Sequence, residues 1–211
     1  MKKIITLVLL IISFNINAAQ KEIVSLESAK KHMENKEYNI GLKYYTQLAK
    51  NDNDVAQLNL GIIYLTGTGV AKNLKKSFDW TEQSAWNGNL DAINNLSQMY
   101  HTGIGVEKNI VNALYYYQMG ALLGNPVSQL NYGLENINAE YLQVDKVNAY
   151  MWIYLSAKSK TPKSNEYLQK LNKIINKKDI DEAILRAENF KSKDFNKNSA
   201  PKEIKAKLKD L

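Results

Sequence analysis

Residues 54–73, DVAQLNLGIIYLTGTGVAKN, and residues 90–109, LDAINNLSQMYHTGIGVEKN, are one pattern written twice. Ala56, Leu60, Tyr64, Gly67, Gly69, Val70 and Asn73 return 36 residues later as Ala92, Leu96, Tyr100, Gly103, Gly105, Val106 and Asn109. The copy continues to Trp80, Ala85, Gly88 and Asn89, matched by Tyr116, Ala121, Gly124 and Asn125. A fixed period of this length is the mark of a stacked helical array. One such unit cannot bury its apolar face alone, so neighbouring units must share a core.

Within a unit the spacing predicts two helices. Ala56, Leu60 and Tyr64 fall at i, i+4 and i+8, on one face of a 3.6-residue period. Thr66-Gly67-Thr68-Gly69 stops this first helix, because two glycines supply the positive φ that a C-cap and turn require. A second helix starts near Leu74, carries Phe78, Trp80 and Ala85, and is read as ending at Trp86-Asn87-Gly88-Asn89. Residues 90–125 repeat this logic.

The pattern weakens outward in both directions. Adding the period to Ala92, Ala113, Tyr116 and Ala121 gives Ser128, Ala149, Trp152 and Ala157, so residues 126–161 read as a divergent third unit. Its turn glycines have become Ala139 and Tyr141, and the loop must turn by another route. Upstream, Gly41, Tyr44 and Ala49 precede Ser77, Trp80 and Ala85 by one period, so residues 20–53 read as a degenerate capping repeat. Atypical end units are expected in solenoids, where the terminal faces meet water. After Thr161-Pro162, residues 162–190 read as a helical cap with two stripes. The first is Tyr167, Leu168, Leu171, Ile174 and Ile175; the second is Ile180, Ala183, Ile184, Ala187 and Phe190. Asp179 and Glu182 read as the N-cap pair of the second helix.

These residues resemble the Sel-one-like repeat (SLR) family, a cousin of the tetratricopeptide repeat. The family's pattern is met by Ala56, Leu60, Gly61, Tyr64, Gly67, Gly69, Val70, Asn73, Trp80, Ala85 and Gly88. It is met again one period on, with Ser97 in place of the small glycine and Ala113 where the first unit has Ser77. The resemblance implies an all-α, α-α superhelix: a right-handed solenoid of helix-turn-helix repeats. It further implies an adaptor or regulator of the bacterial envelope, since relatives bind envelope enzymes, sensor proteins or host factors.

Composition narrows the setting. Met1-Lys2-Lys3, the apolar run from Ile4 to Ile12 and Ala18-Ala19 read as a secretory signal peptide over residues 1–19. The expectation is therefore a periplasmic or secreted protein with no integral membrane segment after cleavage. The chain has no cysteine, which excludes a bacterial lipid anchor, cysteine-based zinc sites and thiol catalysis. The net charge is +7, but residues 191–211 alone hold seven Lys against Asp194, Glu203 and Asp210. That tail reads as basic and flexible, with a weak amphipathic pattern at Ile204, Leu208 and Leu211. A nearly neutral body is no nucleic-acid footprint.

Nothing in the sequence assembles a catalytic centre. His32 and His101 are the only histidines, and no metal-binding or nucleophile motif occurs. Gly67-Thr68-Gly69 and Gly103-Ile104-Gly105 follow helices, so they are helix stops and not phosphate cradles. The expectation is a non-enzyme without cofactor or metal. Tyr44, Trp80, Tyr116 and Trp152 form a row at the repeat spacing; packing between units is favoured over stacking on sugars. The alternative functions are a peptidoglycan-associated regulator or inhibitor of a cell-wall enzyme, which this row leaves open, and a secreted host-interaction factor.

One asymmetry points to a ligand. The first-helix face away from Leu60 reads Val55, Leu58, Ile62 and Leu65, all apolar. The next unit places Asp91, Asn94, Gln98 and His101 there, and the third Val127, Leu130, Leu134 and Ile137. In tetratricopeptide-like stacks this face lines a groove. Two readings follow from the need to cover a helix that is apolar all round. Either neighbouring helices cover the shoulders, or a protein or peptide partner does. The candidate partner-binding residues are Leu58, Ile62, Leu65, Asn94, Gln98, His101, Leu130 and Leu134.

Overall fold

The structure is a computed structural model that describes residues 23–137 and 144–192. The expected signal peptide, the altered turn at Ala139 and Tyr141, and the tail helix at Ile204, Leu208 and Leu211 lie outside the described residues.

Ten helices and no strand occur among the described residues. They are α1 Leu26–Glu34, α2 Tyr38–Lys50, α3 Asp54–Thr66, α4 Leu74–Trp86, α5 Leu90–Thr102, α6 Ile110–Leu122, α7 Pro126–Glu135, α8 Lys146–Lys158, α9 Ser164–Leu171 and α10 Lys177–Asn189. Up to α8 each odd helix pairs with the next even one, and each even helix packs on the following odd one. The last two helices both pack on α8.

Asparagine sets the helix starts. Asn53, Asn73, Asn89, Asn109 and Asn125 are the N-caps of α3 to α7, each accepting a backbone N–H from the first turn. Asn89 and Asn125 therefore open the next helix, while their own N–H groups, donating to the Ser84 and Gly120 carbonyls at 3.1 and 2.9 Å, also close the end of the previous one as the sequence reading has it. The cap of α10 moves by one turn. Asn176 accepts from the Asp179 N–H at 2.9 Å, while its amide donates to the Asp179 carboxylate at 2.8 Å. The Asp179 and Glu182 pair is thus displaced by Asn176 and Asp179, which lie three residues earlier. The α9 stripe is likewise longer than its helix, because Ile174 and Ile175 follow its end at Leu171.

The loop inside each unit closes in one way. Asn73 donates its N–H to the Tyr64 carbonyl and Asn109 to that of Tyr100, both at 2.9 Å. In the third unit Asp145 donates to Asn136 at 3.0 Å, the same position two periods on. The closing bond survives without the glycines, although α7 stops at Glu135.

Apolar burial occurs at the seams. Leu60, Ala56 and Ile63 share a cluster with Ala29, Tyr45 and Ala49. Leu96, Ile93, Tyr100 and Tyr116 share one with Phe78 and Ala85. Tyr116 lies stacked on Tyr100, with ring centroids 5.7 Å apart. Trp152 meets Tyr132 at 5.8 Å and Phe190 at 5.1 Å, fastening α10 to the array. Gly61 permits the closest approach inside a unit, since a Cβ there would sit 2.5 Å from the Thr81 hydroxyl.

Candidate functional site

The first helices α3, α5 and α7 lie side by side and are tied through their side chains. The Asn89 amide donates to the Asp54 carboxylate at 3.0 Å, and the Asn125 amide to Asp91 at 3.2 Å. These bonds join the start of each first helix to the start of the one before. In the middle of the row the Asn131 amide donates to the Asn94 carbonyl oxygen at 3.0 Å. Near the far end His101 Nε2 stands 3.5 Å from Glu135 Oε1.

The structure divides the eight candidate residues. Ile62 and Gln98 are exposed, Ile62 at 44%. Leu58, Leu65, His101 and Leu134 are half-buried. Asn94 and Leu130 are buried, which corrects their assignment as ligand contacts. Asn94 is an internal acceptor between α5 and α7, while Leu130 belongs to the cluster of Tyr150, Trp152, Leu171 and Ile175. Leu58 packs against the core of the next unit, and Leu134 and Ile137 against the C-terminal cluster. Neighbouring helices thus cover much of the apolar shoulder. His101 makes a contact between units, against Glu135.

The face left open keeps Val55, Ile62, Asp91, Gln98 and Val127 of the expected one and has Asn59, Asn95 and Asn131 in place of Leu58, Asn94 and Leu130. It runs through Val55, Asn59 and Ile62 on α3, through Asp91, Asn95 and Gln98 on α5, and through Val127 and Asn131 on α7, where the third position, Leu134, is covered by the C-terminal cluster. The spacing within each helix is i, i+4 and i+7, one continuous face. Val55 is 40% exposed and Val127 37%, whereas Asp91 and Gln98 between them are open and polar. An apolar–polar–apolar order survives on this stripe. The sequence reading missed Asn59, Asn95 and Asn131, although their exact 36-residue spacing was a visible signal.

Charge separates this face from the rest of the chain. Among 28 Lys and Arg residues, none lies on α3, α5 or α7. The acids Asp54, Asp91 and Glu135 all lie there. The side chain of Glu135 is only 14% exposed. Burial, with the Glu135 charge adding to it, pushes the Tyr117 phenol well above its ordinary range.

No group of three or more metal-ligating side chains gathers among the described residues. Among the same residues no helix is long and apolar enough to cross a membrane. The aromatic row is packing. Tyr116 and Trp152 are buried, and Tyr44 and Trp80 are half-buried against the first cluster.

Comparison with known proteins places this arrangement in a class. The Sel1 repeat profile matches residues 54–89 and 90–125. Residues 54–125 of the chain are thus two Sel1 repeats, a repeat that generally builds protein-interaction scaffolds and is generally non-catalytic. Two solved structures share the fold. One is a protective antigen present in uropathogenic Escherichia coli strains and displaying an SLR fold, with 23% identity and a TM-score of 0.62. That match covers 71% of this chain but only 34% of the antigen, so the chain spans about a third of that protein's length. The other is a Sel1 repeat protein from Oxalobacter formigenes, with 21% identity and a TM-score of 0.67, covering 78% of this chain and 70% of that one. At these identities the likeness concerns the fold alone. No curated protein sequence matches the chain.

Proposed function

We propose that this chain is a non-catalytic interaction scaffold of the bacterial envelope, exported through its leader, which captures a protein or peptide on the open face of α3, α5 and α7. The observation that carries this reading is the exposed Val55–Ile62 and Val127 shoulders flanking polar Asp91 and Gln98. Exposed apolar side chains arranged around a polar centre, on a rigid surface, suit partner recognition more than solubility. The leader-like residues 1–19 support export.

The test is capture by immobilised chain carrying Ile62→Asp and Gln98→Ala together. Both positions are exposed, so the thermal melt stays unchanged while partner recovery falls at least about tenfold, the size of effect expected when a central contact is lost. Equal recovery by wild type and variant would overturn this placement of the site. Cell fractionation tests the location: recovery in the cytosol with the leader intact contradicts export.

A further inference from the structure

We infer that the turn between α9 and α10 is a peripheral membrane anchor, in which Ile174 enters the headgroup region of an anionic bilayer while Lys173, Lys177 and Lys178 meet its phosphates. The inference goes beyond the scaffold reading. It uses no residue of α3, α5 or α7 and does not depend on what binds there.

By its spacing Ile174 belongs to the apolar stripe of Tyr167, Leu168 and Leu171, yet the fold leaves it 59% exposed. The turn that carries it is fixed. Ile174 and Ile175 both donate their N–H to the Leu171 carbonyl, at 3.0 and 2.9 Å, and Lys173 donates to that of Lys170 at 3.2 Å. The Tyr150 hydroxyl donates to the Asn172 side-chain oxygen at 3.0 Å, which ties the turn to α8. Of residues 172–178 only Ile175 is buried, in the C-terminal cluster. The turn is therefore a hydrogen-bonded projection that holds an apolar side chain out in solvent.

Positive charge surrounds that side chain. Residues 170–178, KLNKIINKK, hold four Lys and no acid. Lys170 pairs with Glu166 at 2.7 Å. Lys173, Lys177 and Lys178 are exposed and make no ion pair among the described residues. Lys177 and Lys178 are the first two residues of α10, where the helix dipole opposes cations, so helix stability does not account for them. The next acid in the chain, Asp179, already accepts the Asn176 amide at 2.8 Å.

A membrane surface fits this combination better than a nucleic acid or a protein does. Anionic headgroups attract each lysine, and the acyl boundary beneath them takes an apolar side chain. A nucleic acid presents phosphates along a strand, which calls for a basic face and not a single turn. Protein interfaces are depleted in lysine. Tyrosine, which favours the bilayer–water boundary, stands beside the turn. Tyr167 is half-buried, with Lys170 Nζ 5.3 Å from its ring centre, and half-buried Tyr154 stacks on Tyr150 at 6.5 Å.

The experiment sediments the chain, purified as cells process it, with vesicles of phosphatidylcholine alone or with about one-third phosphatidylglycerol. The chain is expected to prefer the anionic vesicles, and the preference to shrink as salt is raised. Ile174→Asn should weaken binding to them at least about fivefold, with an unchanged thermal melt. Lys173→Gln, Lys177→Gln and Lys178→Gln together should weaken it at least about tenfold, while Lys173→Arg, Lys177→Arg and Lys178→Arg together should keep it. Residues 193–211, with six further Lys, are the same in every variant, so a loss belongs to the turn. The chain has no cysteine, so Ile174→Cys takes a single environment-sensitive fluorophore. Its emission should shift to the blue on anionic vesicles, and the same label on Val111→Cys, an exposed position of α6, should not shift. No preference for anionic vesicles, full binding by Ile174→Asn or by the triple glutamine variant, or a label at position 174 that stays in water would each overturn the inference. So would binding of duplex DNA, and not of vesicles, that the glutamine variant abolishes.

Discussion

Gly105 does two things at once. It adopts φ of +74°, and a Cβ on it would sit 2.1 Å from the Leu74 carbonyl oxygen. Gly69 does the same one period earlier, where a Cβ would meet the Tyr38 ring at 2.3 Å. The second loop glycine of each unit thus docks on the first residue of the preceding second helix. Gly103 only turns the chain, at φ of +78°, with its nearest neighbour 3.5 Å from a Cβ. Gly105→Ala should therefore lose about 2–4 kcal/mol in urea unfolding, because backbone must move. Gly103→Ala should lose only about 1 kcal/mol, the cost of strain alone. Equal losses would contradict the docking role. The sequence showed that glycines turn the chain here; it could not show which one also touches a neighbour, since that contact needs the stack.

Tyr116 and Tyr117 make a second prediction at this scale. Burial raises both phenols well above the ordinary value near 10. A phenol whose folded pKa is raised binds its proton more tightly when folded. Its stabilisation is complete below about pH 10 and is lost as pH rises toward the folded value. Alkaline unfolding should begin near pH 10, and Tyr116→Phe, Tyr117→Phe should shift its onset upward. A double variant with the same alkaline limb as wild type would exclude these groups as its cause.

At the scale of elements, the asparagine caps are not equivalent. Asn73 accepts from the Lys76 N–H and starts α4. Asn89 accepts from the Ala92 N–H and also donates to Asp54 in the unit before. Asn73→Ala should cost about 1 kcal/mol, and Asn89→Ala about twice that, because an inter-unit bond to a carboxylate goes with it. Equal unfolding midpoints for the two variants would mean that the Asp54 bond contributes nothing. Helix starts were only half legible. Asn89 follows Gly88, and Gly-Asn is a common stop signal, so the sequence alone favoured an ending over a beginning. Asn176 was passed over because Asp179 and Glu182 offer the same cap spacing three residues later. Helix faces were more legible, since Ala56, Leu60, Ala92 and Leu96 lie in the core as their period required.

At the scale of the molecule, the repeat period carried the array, and the open face was the harder part. A first helix that is apolar nearly all round gives no sign of which flank its neighbours cover. That depends on how the helices cross, which sequence does not state. Leu130 went inside and Leu58 turned half-buried against the next unit, so the open stripe keeps Val55 and Ile62 but has Asn59 between them. Gln98 is the candidate that stays central and exposed in both readings. Val111, 51% exposed on the second helix α6, lies off that stripe and serves as its control. The decisive measurement is photo-crosslinking in native cells from a benzoylphenylalanine placed at position 98 or at position 111. The account predicts discrete protein or peptide adducts from position 98 and none from position 111. Adducts of equal strength from both positions, or from position 111 alone, would contradict it.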